Sequence, residues 1–385
     1  MISLQSKLPK VQTSIFTQMS ALAQQQQAIN LSQGFPNFEG DPLLQELVHK
    51  AMREGHNQYA PMAGLPALTE RLAKKIESLY GRSLQPESEI TITAGATQAL
   101  FTAITSFVRA GEEVIIIEPA YDSYKPAIEL CGAIAIPFAL EAPDFRIDWQ
   151  KLARYVSVRT RMIILNSPHN PTATVFAEAD WLALERITHN TDILLLSDEV
   201  YEHLTYDGKG HESVLKHPSL FQRSIACFSF GKTFHNTGWK IGYCVAPAYL
   251  MKEFRKVHQF NVFSVNTPMQ YALAEYLQAP EHYLQLPDFY QQKRDFFRQA
   301  MQGSAFKLLP CEGTYFQLLD YSALSQEKDV DFAIRLTKEH GIATIPVSVF
   351  YSQPPTMQLL RVCFAKTEET LRQAAEKLKG VGDRV

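Results

Sequence analysis

The sequence has few cysteines and no long apolar run. Its five cysteines are scattered, odd in number and without a Cys-x-x-Cys pair, which argues against a disulfide scaffold or a metal site and fits a reducing compartment. The longest apolar runs, such as EVIIIEP and DILLLSD, are too short to span a bilayer. The N-terminal stretch MISLQSKLPKVQTSIF lacks the apolar core of a secretory signal. We therefore expect a cytoplasmic protein.

The chain also has no large excess of charge. Its net charge is −3, so no basic field points to a nucleic-acid partner. Hydrophobic residues make up 46% and charged residues 20%, a balance typical of globular proteins. A chain of 385 residues can bury one large core or two smaller ones. We expect small molecules as partners, with neither a nucleic acid nor a membrane.

Two common nucleotide-binding motifs are absent in their full form. The stretch SFGKTFHNTGWKIG contains Gly-Lys-Thr at 231–233, but a P-loop needs another glycine five positions earlier, where the chain has Ala226. The nearest approach to G-x-G-x-x-G is GKG at 208–210, with Ser213 in place of the third glycine. Lys232 therefore needs an explanation other than a P-loop.

The middle of the chain predicts an α/β fold. Between residues 89 and 246, apolar runs such as EVIIIEP and RMIILNSP alternate with helical patterns. This alternation is typical of a mainly parallel sheet that is buried on both faces. After about residue 275 the pattern changes to that of a smaller α+β domain. We predict an N-terminal arm with part of the small domain at 1–40, a large cofactor-binding domain at 41–275 and a small domain at 276–385.

Residues suited to chemistry follow the predicted strands. Ligands of open α/β sheets bind beyond the carboxyl ends of the strands. Those ends carry a small-residue helix start, aromatic rings, amides, a carboxylate and an amine: Ala94 to Thr97, Tyr121, Asn166, Asn170, Asp198, Tyr201, Ser229 and Lys232. A helix start binds phosphate, a lysine bonds to an aldehyde, and a carboxylate holds a proton on a ring nitrogen. This set matches the needs of pyridoxal 5'-phosphate.

Each of these residues alone has an ordinary structural explanation. Asn170-Pro171 suggests a turn, Asp198 could cap a helix, and Lys232 could be an exposed surface lysine. The tyrosines could be half-buried packing residues. The functional interpretation is favoured because the whole set occurs in order at successive strand ends.

The chain strongly resembles the class I pyridoxal-phosphate aminotransferases of fold type I. The resemblance rests on NLSQGFPNF, NQYAPMAGLPALTERLA, TAGATQAL, EPAYDSY, NSPHNPTA, LSDEVYEHL, SFGKTFHNTGWKIGY and LLRVCFA, and extends from about residue 15 to the C-terminus. Within the family it is most similar to the bacterial methionine-type enzymes and the related kynurenine and glutamine aminotransferases. The resemblance implies a seven-stranded, mainly parallel sheet in the large domain and a homodimer with shared active sites.

The resemblance also implies a role for each matching residue. The catalytic set would be Lys232, bonded to the cofactor aldehyde, Asp198 at the ring nitrogen and Tyr201 at the phenolic oxygen. The other cofactor-binding residues would be Gly95, Ala96, Thr97, Tyr121, Asn170, Ser229, Lys240 and, from the other subunit, Tyr59. The substrate would contact Gly34, Asn170, Arg361 and Phe16.

Two cationic positions need separate weighing. Many relatives have arginine where this chain has Lys240; lysine keeps the charge but loses the two-pronged geometry of arginine. Arg361 lies in the apolar stretch QLLRVCF, where a buried charge needs a partner. That partner could be a structural acidic residue or the α-carboxylate of a substrate, and the rest of the site favours the substrate.

We expect a transaminase that moves the amino group of an apolar or thioether amino acid, with methionine first, to a 2-oxo acid by ping-pong kinetics. The pocket candidates Phe16, Tyr59 and Tyr121 are aromatic and suit such a side chain. The alternative is a kynurenine, glutamine or aromatic aminotransferase with cysteine-conjugate β-lyase activity. A transcriptional regulator built on the same fold is disfavoured, because the resemblance begins near residue 15 and leaves no room for a DNA-binding domain.

Overall fold

The computed structural model describes residue 2 and residues 4–381. Its strands are β1 Ile29–Asn30, β2 Ile90–Thr93, β3 Glu113–Glu118, β4 Ile134–Ala139, β5 Thr160–Asn166, β6 Leu194–Asp198, β7 Ser224–Ser229, β8 Gly242–Val245, β9 Lys307–Leu308, β10 Phe316–Asp320, β11 Ile342–Ala343, β12 Ile345–Pro346 and β13 Leu359–Cys363. The helices are α1 Ile15–Gln25, α2 Pro42–Arg53, α3 Pro66–Tyr80, α4 Pro86–Glu89, α5 Gly95–Phe107, α6 Tyr124–Leu130, α7 Trp149–Ala153, α8 Glu178–Thr188, α9 Pro218–Phe221, α10 Phe230–Thr233, α11 Ala248–Asn261, α12 Thr267–Tyr276, α13 Glu281–Leu284, α14 Leu286–Ala300, α15 Asp329–His340 and α16 Glu368–Lys379. Three 3-10 turns lie at Val214–Lys216, Thr237–Trp239 and Ser348–Phe350.

A seven-stranded sheet forms the centre of the fold. Its strand order is β2-β8-β7-β6-β5-β3-β4. Only β8 is antiparallel to its neighbours β7 and β2. The predicted α/β class with a mainly parallel seven-stranded sheet is therefore confirmed.

Both faces of this sheet are buried, which explains the continuous apolar runs. Successive residues of a strand point to opposite faces. In β3, Ile115 and Ile117 belong to one hydrophobic cluster, and Val114 and Ile116 belong to a second. The second cluster also contains the apolar faces of α5 and α11, while α3 packs into the first. Helices on both sides thus fix the sheet and the direction of its strand ends.

A smaller sheet with the strand order β12-β13-β10-β9 is antiparallel throughout. The N-terminal strand β1 stays outside the central sheet and pairs with β11 in parallel. The domain boundaries at 1–40, 41–275 and 276–385 stay a prediction. No helix within residues 4–381 is both long enough and apolar enough to cross a membrane.

Candidate active site

The carboxyl ends of the central strands open into a cavity of about 270 Å³. The end of β2 leads into α5, and β8 begins beside the end of β2. The predicted site residues that line the cavity are Phe16, Gly34, Gly95, Ala96, Thr97, Tyr121, Asn170, Asp198, Tyr201, Ser229, Lys232, Lys240 and Arg361. The fold therefore brings together residues that are far apart in the sequence.

Lys232 lies on the short helix α10, directly after β7. Its Nζ donates hydrogen bonds to the Gly34 carbonyl and to the Tyr315 hydroxyl, both at 3.0 Å. Burial lowers the pKa of Lys232 from 10.5 to about 8. A buried amine with a lowered pKa holds more of the neutral, nucleophilic form near neutral pH.

Asp198 ends β6 and is 4% exposed. The Tyr124 hydroxyl donates to Asp198 Oδ2 at 2.6 Å, and the Asn166 side-chain amide donates to the Asp198 backbone carbonyl at 2.9 Å. Burial raises the pKa of Asp198 from 3.8 to about 6. Within residues 4–381, this carboxylate has no lysine, arginine or histidine nitrogen within 4.0 Å. A cationic ligand atom would satisfy it.

The start of α5 forms the anion-binding end of the cavity. The free N–H groups of a helix start favour an anion. Gly95 has a positive φ of 77°, and a Cβ added there would lie 3.4 Å from Lys240 Nζ. The lysine ammonium thus stands beside the helix start, with Thr97 and Ser229 lining the same cavity. This arrangement suits a phosphate group.

Arg361 lies on β13 of the smaller sheet and is 1% exposed. Its guanidinium donates to Asn170 Oδ1 and to the Ser32 carbonyl, both at 2.8 Å. Its Nε lacks a hydrogen-bond partner, and its centre lies 4.0 Å from the centroid of the Phe316 ring. Burial lowers the pKa of Arg361 to about 10. No carboxylate among the described residues forms an ion pair with it, so the geometry suits a ligand carboxylate better than a structural salt bridge.

Aromatic rings form much of the remaining wall. The Tyr121 hydroxyl lies 3.2 Å from Thr97 Oγ1. The Phe16 ring centroid lies 5.2 Å from the Arg361 guanidinium centre. Tyr201 is buried and packs edge-on against Tyr315, with 5.2 Å between ring centroids. These rings favour a planar ligand and an apolar side chain.

Tyr59 is the one predicted site residue outside the cavity. It is 81% exposed, and its ring packs edge-on against Phe263 at 5.2 Å. An exposed pair of rings on one chain agrees with a residue that acts in a neighbouring subunit. The role of Tyr59 stays a prediction.

Sequence reasoning did not assign roles to four residues that contact the site. Tyr124 carries a signal, because it lies in the same EPAYDSY motif as Tyr121. Asn166 ends β5, yet its contacts are with the Asp198 carbonyl and the Asn170 amide. Phe316 begins β10 of the smaller sheet and Tyr315 directly precedes it, and no strand-end rule points from there to the cavity.

The fold and the cavity define an α/β protein with a buried amine, a carboxylate and an anion-binding helix start at its strand ends. Residues 26–378 match the family described as aminotransferase class I and II, and the chain belongs to that family. It is 58% identical to the methionine aminotransferase of Escherichia coli over 97% of each chain. It is 33% identical to the mouse kynurenine--oxoglutarate transaminase 1, over 97% of this chain and 96% of the relative.

Solved structures agree with these relationships. The structure of YbdL from Escherichia coli, for which a methionine aminotransferase function was identified, has a TM-score of 0.97 at 57% identity and covers 98% of this chain and 99% of its own. The N-succinyldiaminopimelate aminotransferase from Mycobacterium tuberculosis has a TM-score of 0.94 at 34% identity, with 98% and 100% covered. The predicted family and its fold are therefore confirmed.

Proposed function

We propose that the protein is a pyridoxal-phosphate-dependent aminotransferase that moves the amino group of methionine to a 2-oxo acid. One observation carries the proposal: Lys232 and Asp198 share a cavity with a helix start suited to an anion and with Arg361, which forms no ion pair within the described residues. Each of these groups can meet one part of the cofactor or the substrate. The 58% identity to a methionine aminotransferase supports the choice of methionine.

The residues of the cavity fit pyridoxal phosphate. The start of α5 and Lys240 would hold its phosphate, and Asp198, ionised near neutral pH, would hold the ring nitrogen. The Tyr121 ring would cover one face, and Asn170 and Tyr201 would bind the phenolic oxygen. When bound, the cofactor supplies a conjugated ring that accepts electron density from the α-carbon of the substrate.

The chain's own residues would bind the substrate and move the proton. Arg361 would grip the α-carboxylate with two N–H groups. The Lys232 amine, with its lowered pKa, would take the proton from the α-carbon and return one during the same half-reaction. An amino acid and a 2-oxo acid share an α-carboxylate, so Arg361 would serve both in turn, as ping-pong kinetics require.

The lining of the cavity supports an apolar or thioether side chain. Lys232, Lys240 and Arg361 are the cations that line it within residues 4–381, and the proposal assigns each of them. No further cation remains for the second carboxylate of a substrate such as aspartate. Phe16 and Phe35 offer apolar contact surface instead.

A kynurenine, glutamine or aromatic aminotransferase is the second candidate. The mouse kynurenine--oxoglutarate transaminase 1 supports it, as do the aromatic rings of the cavity. The same lysine and carboxylate could also serve a cysteine-conjugate β-lyase reaction, which would release pyruvate and ammonia without an amino acceptor. Product analysis separates these activities.

We also propose a homodimer in which Tyr59 of one subunit reaches the phosphate end of the other subunit's site, and a cytoplasmic location. The exposed pair of Tyr59 and Phe263 supports the dimer. Phe260, which is 87% exposed, lies three residues before Phe263 in the sequence.

The test is an absorbance spectrum of the purified protein with pyridoxal phosphate, before and after L-methionine is added without an oxo acid. We expect a yellow band of the lysine-linked cofactor that bleaches as stoichiometric oxo acid is released. Lys232→Ala is the control and should lack the linked band. A band that persists with methionine but bleaches with kynurenine would favour the second candidate, and the absence of any band would overturn the role of Lys232.

A further inference from the structure

Tyr315 is the side chain closest to the reacting amine that the proposed mechanism leaves unused. Its hydroxyl accepts a hydrogen bond from Lys232 Nζ at 3.0 Å and donates one to the Gly34 carbonyl at 2.5 Å. The same carbonyl also accepts from Lys232 Nζ at 3.0 Å. The amine, the phenol and the carbonyl therefore form a closed triangle of hydrogen bonds.

Packing fixes two corners of this triangle. Tyr315 is fully buried, and its ring packs edge-on against Tyr201 and Phe316. Gly34 packs closely against the rings of Phe316 and Tyr315. A Cβ added at Gly34 would come within 2.9 Å of the Phe316 ring and 3.8 Å of the Tyr315 ring. The carbonyl and the phenol are thus held in place, and the Lys232 amine donates a hydrogen bond to each of them.

We infer that Tyr315 is a positioning residue, whose hydroxyl holds the unbonded amine of Lys232 at one place in the cavity. The inference deepens the proposed function and rests on it in taking Lys232 as the reacting amine. The amine must be free of the cofactor when it moves a proton, and a flexible four-carbon chain would otherwise sample many positions. A fixed resting position shortens the search for the reactive geometry.

The hydroxyl has a second, measurable effect on the amine. Burial raises the pKa of Tyr315 well above its usual range, so the phenol stays neutral and can accept from a charged ammonium. A hydrogen bond to the charged form of a group favours that form. Without the hydroxyl, the ammonium keeps only the Gly34 carbonyl, and the pKa of Lys232 falls further.

The experiment measures this pKa in the cofactor-free protein, where no turnover is involved. Acetic anhydride labels amines in their neutral form, and mass spectrometry of the Lys232 peptide gives the extent of labelling across a pH series. We expect Tyr315→Phe to lower the labelling midpoint of Lys232 by about one unit. With the cofactor bound, kcat should fall roughly tenfold or more, while KM for methionine changes little.

Tyr290→Phe is the matched control. Tyr290 is fully buried in the same aromatic cluster, 5.8 Å from Tyr315 between ring centroids, and its hydroxyl has no hydrogen-bond partner. The Tyr290→Phe variant should leave the labelling midpoint of Lys232 and kcat unchanged. Tyr315→Phe removes only the hydroxyl and keeps the ring, so the aromatic packing and the fold should be retained.

The outcomes separate this inference from the proposed function. A Lys232 midpoint that is the same in Tyr315→Phe and Tyr290→Phe would overturn the positioning role, whatever the enzyme's activity. If the midpoint shifts in Tyr315→Phe but the wild-type protein never transaminates methionine, the hydrogen-bond triangle is supported and the proposed substrate is refuted. A loss of kcat without a shifted midpoint would also overturn the inference.

Discussion

At the residue scale, the site contains ionisable side chains whose charged forms are disfavoured by burial. Burial raises the pKa of Asp198 to about 6, and it lowers the pKa of Lys232 to about 8 and that of Arg361 to about 10. Each shift moves the group towards its neutral form. Ionisable groups with such shifts that share one cavity are typical of functional sites. A ligand that brings the opposite charges would relieve the cost.

The cofactor-free protein should be less stable above pH 6 because of Asp198. The raised folded-state pKa means that the native protein holds a proton between about pH 3.8 and 6 that the unfolded chain has lost. Stability is therefore lost as the pH rises through this window. Asp198→Asn, which carries no ionisable group, should be more stable than the wild type by about 2–3 kcal/mol at neutral pH.

Chemical denaturation across a pH series measures this difference in free energy of unfolding. The difference should shrink towards zero below about pH 4. The exposed Asp144→Asn serves as the control and should leave the pH profile unchanged. A constant difference between Asp198→Asn and wild type at all pH values would show that Asp198 does not titrate as proposed.

Replacing Arg361 should weaken the binding of both substrates equally. Arg361→Lys loses the bidentate hydrogen bonding that is proposed for the α-carboxylate. KM for methionine and for the oxo acid should therefore each rise roughly 10- to 100-fold. The control is Arg294→Lys, since Arg294 is also largely buried, at 6% exposed, but pairs with Asp207 and Asp295. That variant should lose stability and keep both KM values. Steady-state kinetics with each substrate varied will decide, and a rise for only one substrate would contradict the shared carboxylate site.

At the element scale, the sequence predicts the central sheet well because its strands are buried on both faces. The run EVIIIEP contains β3, and the run RMIILNSP contains most of β5. The start of α5 at Gly95 lies within the small-residue helix start that the sequence predicts at Ala94 to Thr97. The small residues of the helix start form no apolar pattern, so periodicity does not reveal them.

The contribution of the smaller sheet is harder to predict. Arg361 pairs with Leu318 across β13 and β10, and Tyr315 and Phe316 thereby arrive beside the cavity. This placement depends on how one sheet lies against the other. Local periodicity predicts the face of its own strand to which a side chain points. It does not predict where that side chain lies relative to another sheet. The resemblance to a family supplies Arg361, whereas Tyr315 emerges only in three dimensions.

The contact between β8 and α5 should control cofactor binding. A Cβ added at Gly242 would lie 2.5 Å from the Phe228 carbonyl and 3.0 Å from the Ala96 N–H nitrogen. Gly242→Ala must therefore push β8 away from β7 or displace the start of α5, which is proposed to bind the cofactor phosphate. We expect a loss of about 1–3 kcal/mol in stability and weaker binding of pyridoxal phosphate.

Thermal unfolding of the cofactor-free protein and a cofactor titration followed by absorbance measure the two effects. Gly210→Ala is the control, because no atom lies within 4 Å of a Cβ added there. It should change stability by less than about 0.5 kcal/mol. Normal cofactor affinity in Gly242→Ala would mean that the start of α5 tolerates displacement.

At the scale of the whole molecule, the residues proposed to act on the substrate come from both the central and the smaller sheet regions. Asp198 ends β6 of the central sheet and Lys232 lies on α10 directly after β7, while Arg361 lies on β13 of the smaller sheet. The triangle around Lys232 and the bond from Arg361 to Asn170 join the two parts at the cavity itself. Any motion between these parts would therefore change the distance between the carboxylate site and the amine.

The proposed dimer can be tested by mixing two inactive proteins. Lys232→Ala lacks the amine, and Tyr59→Ala lacks the ring that is proposed to cross to the other subunit. In a hybrid dimer, one site would combine the intact Lys232 of one subunit with the intact Tyr59 of the other, while the second site would lack both. Random mixing makes half of the dimers hybrid, so about a quarter of the wild-type specific activity should return. Each parent protein, unfolded and refolded alone, is the control, and activity no greater than the sum of the parents would mean that Tyr59 serves the site of its own chain or none.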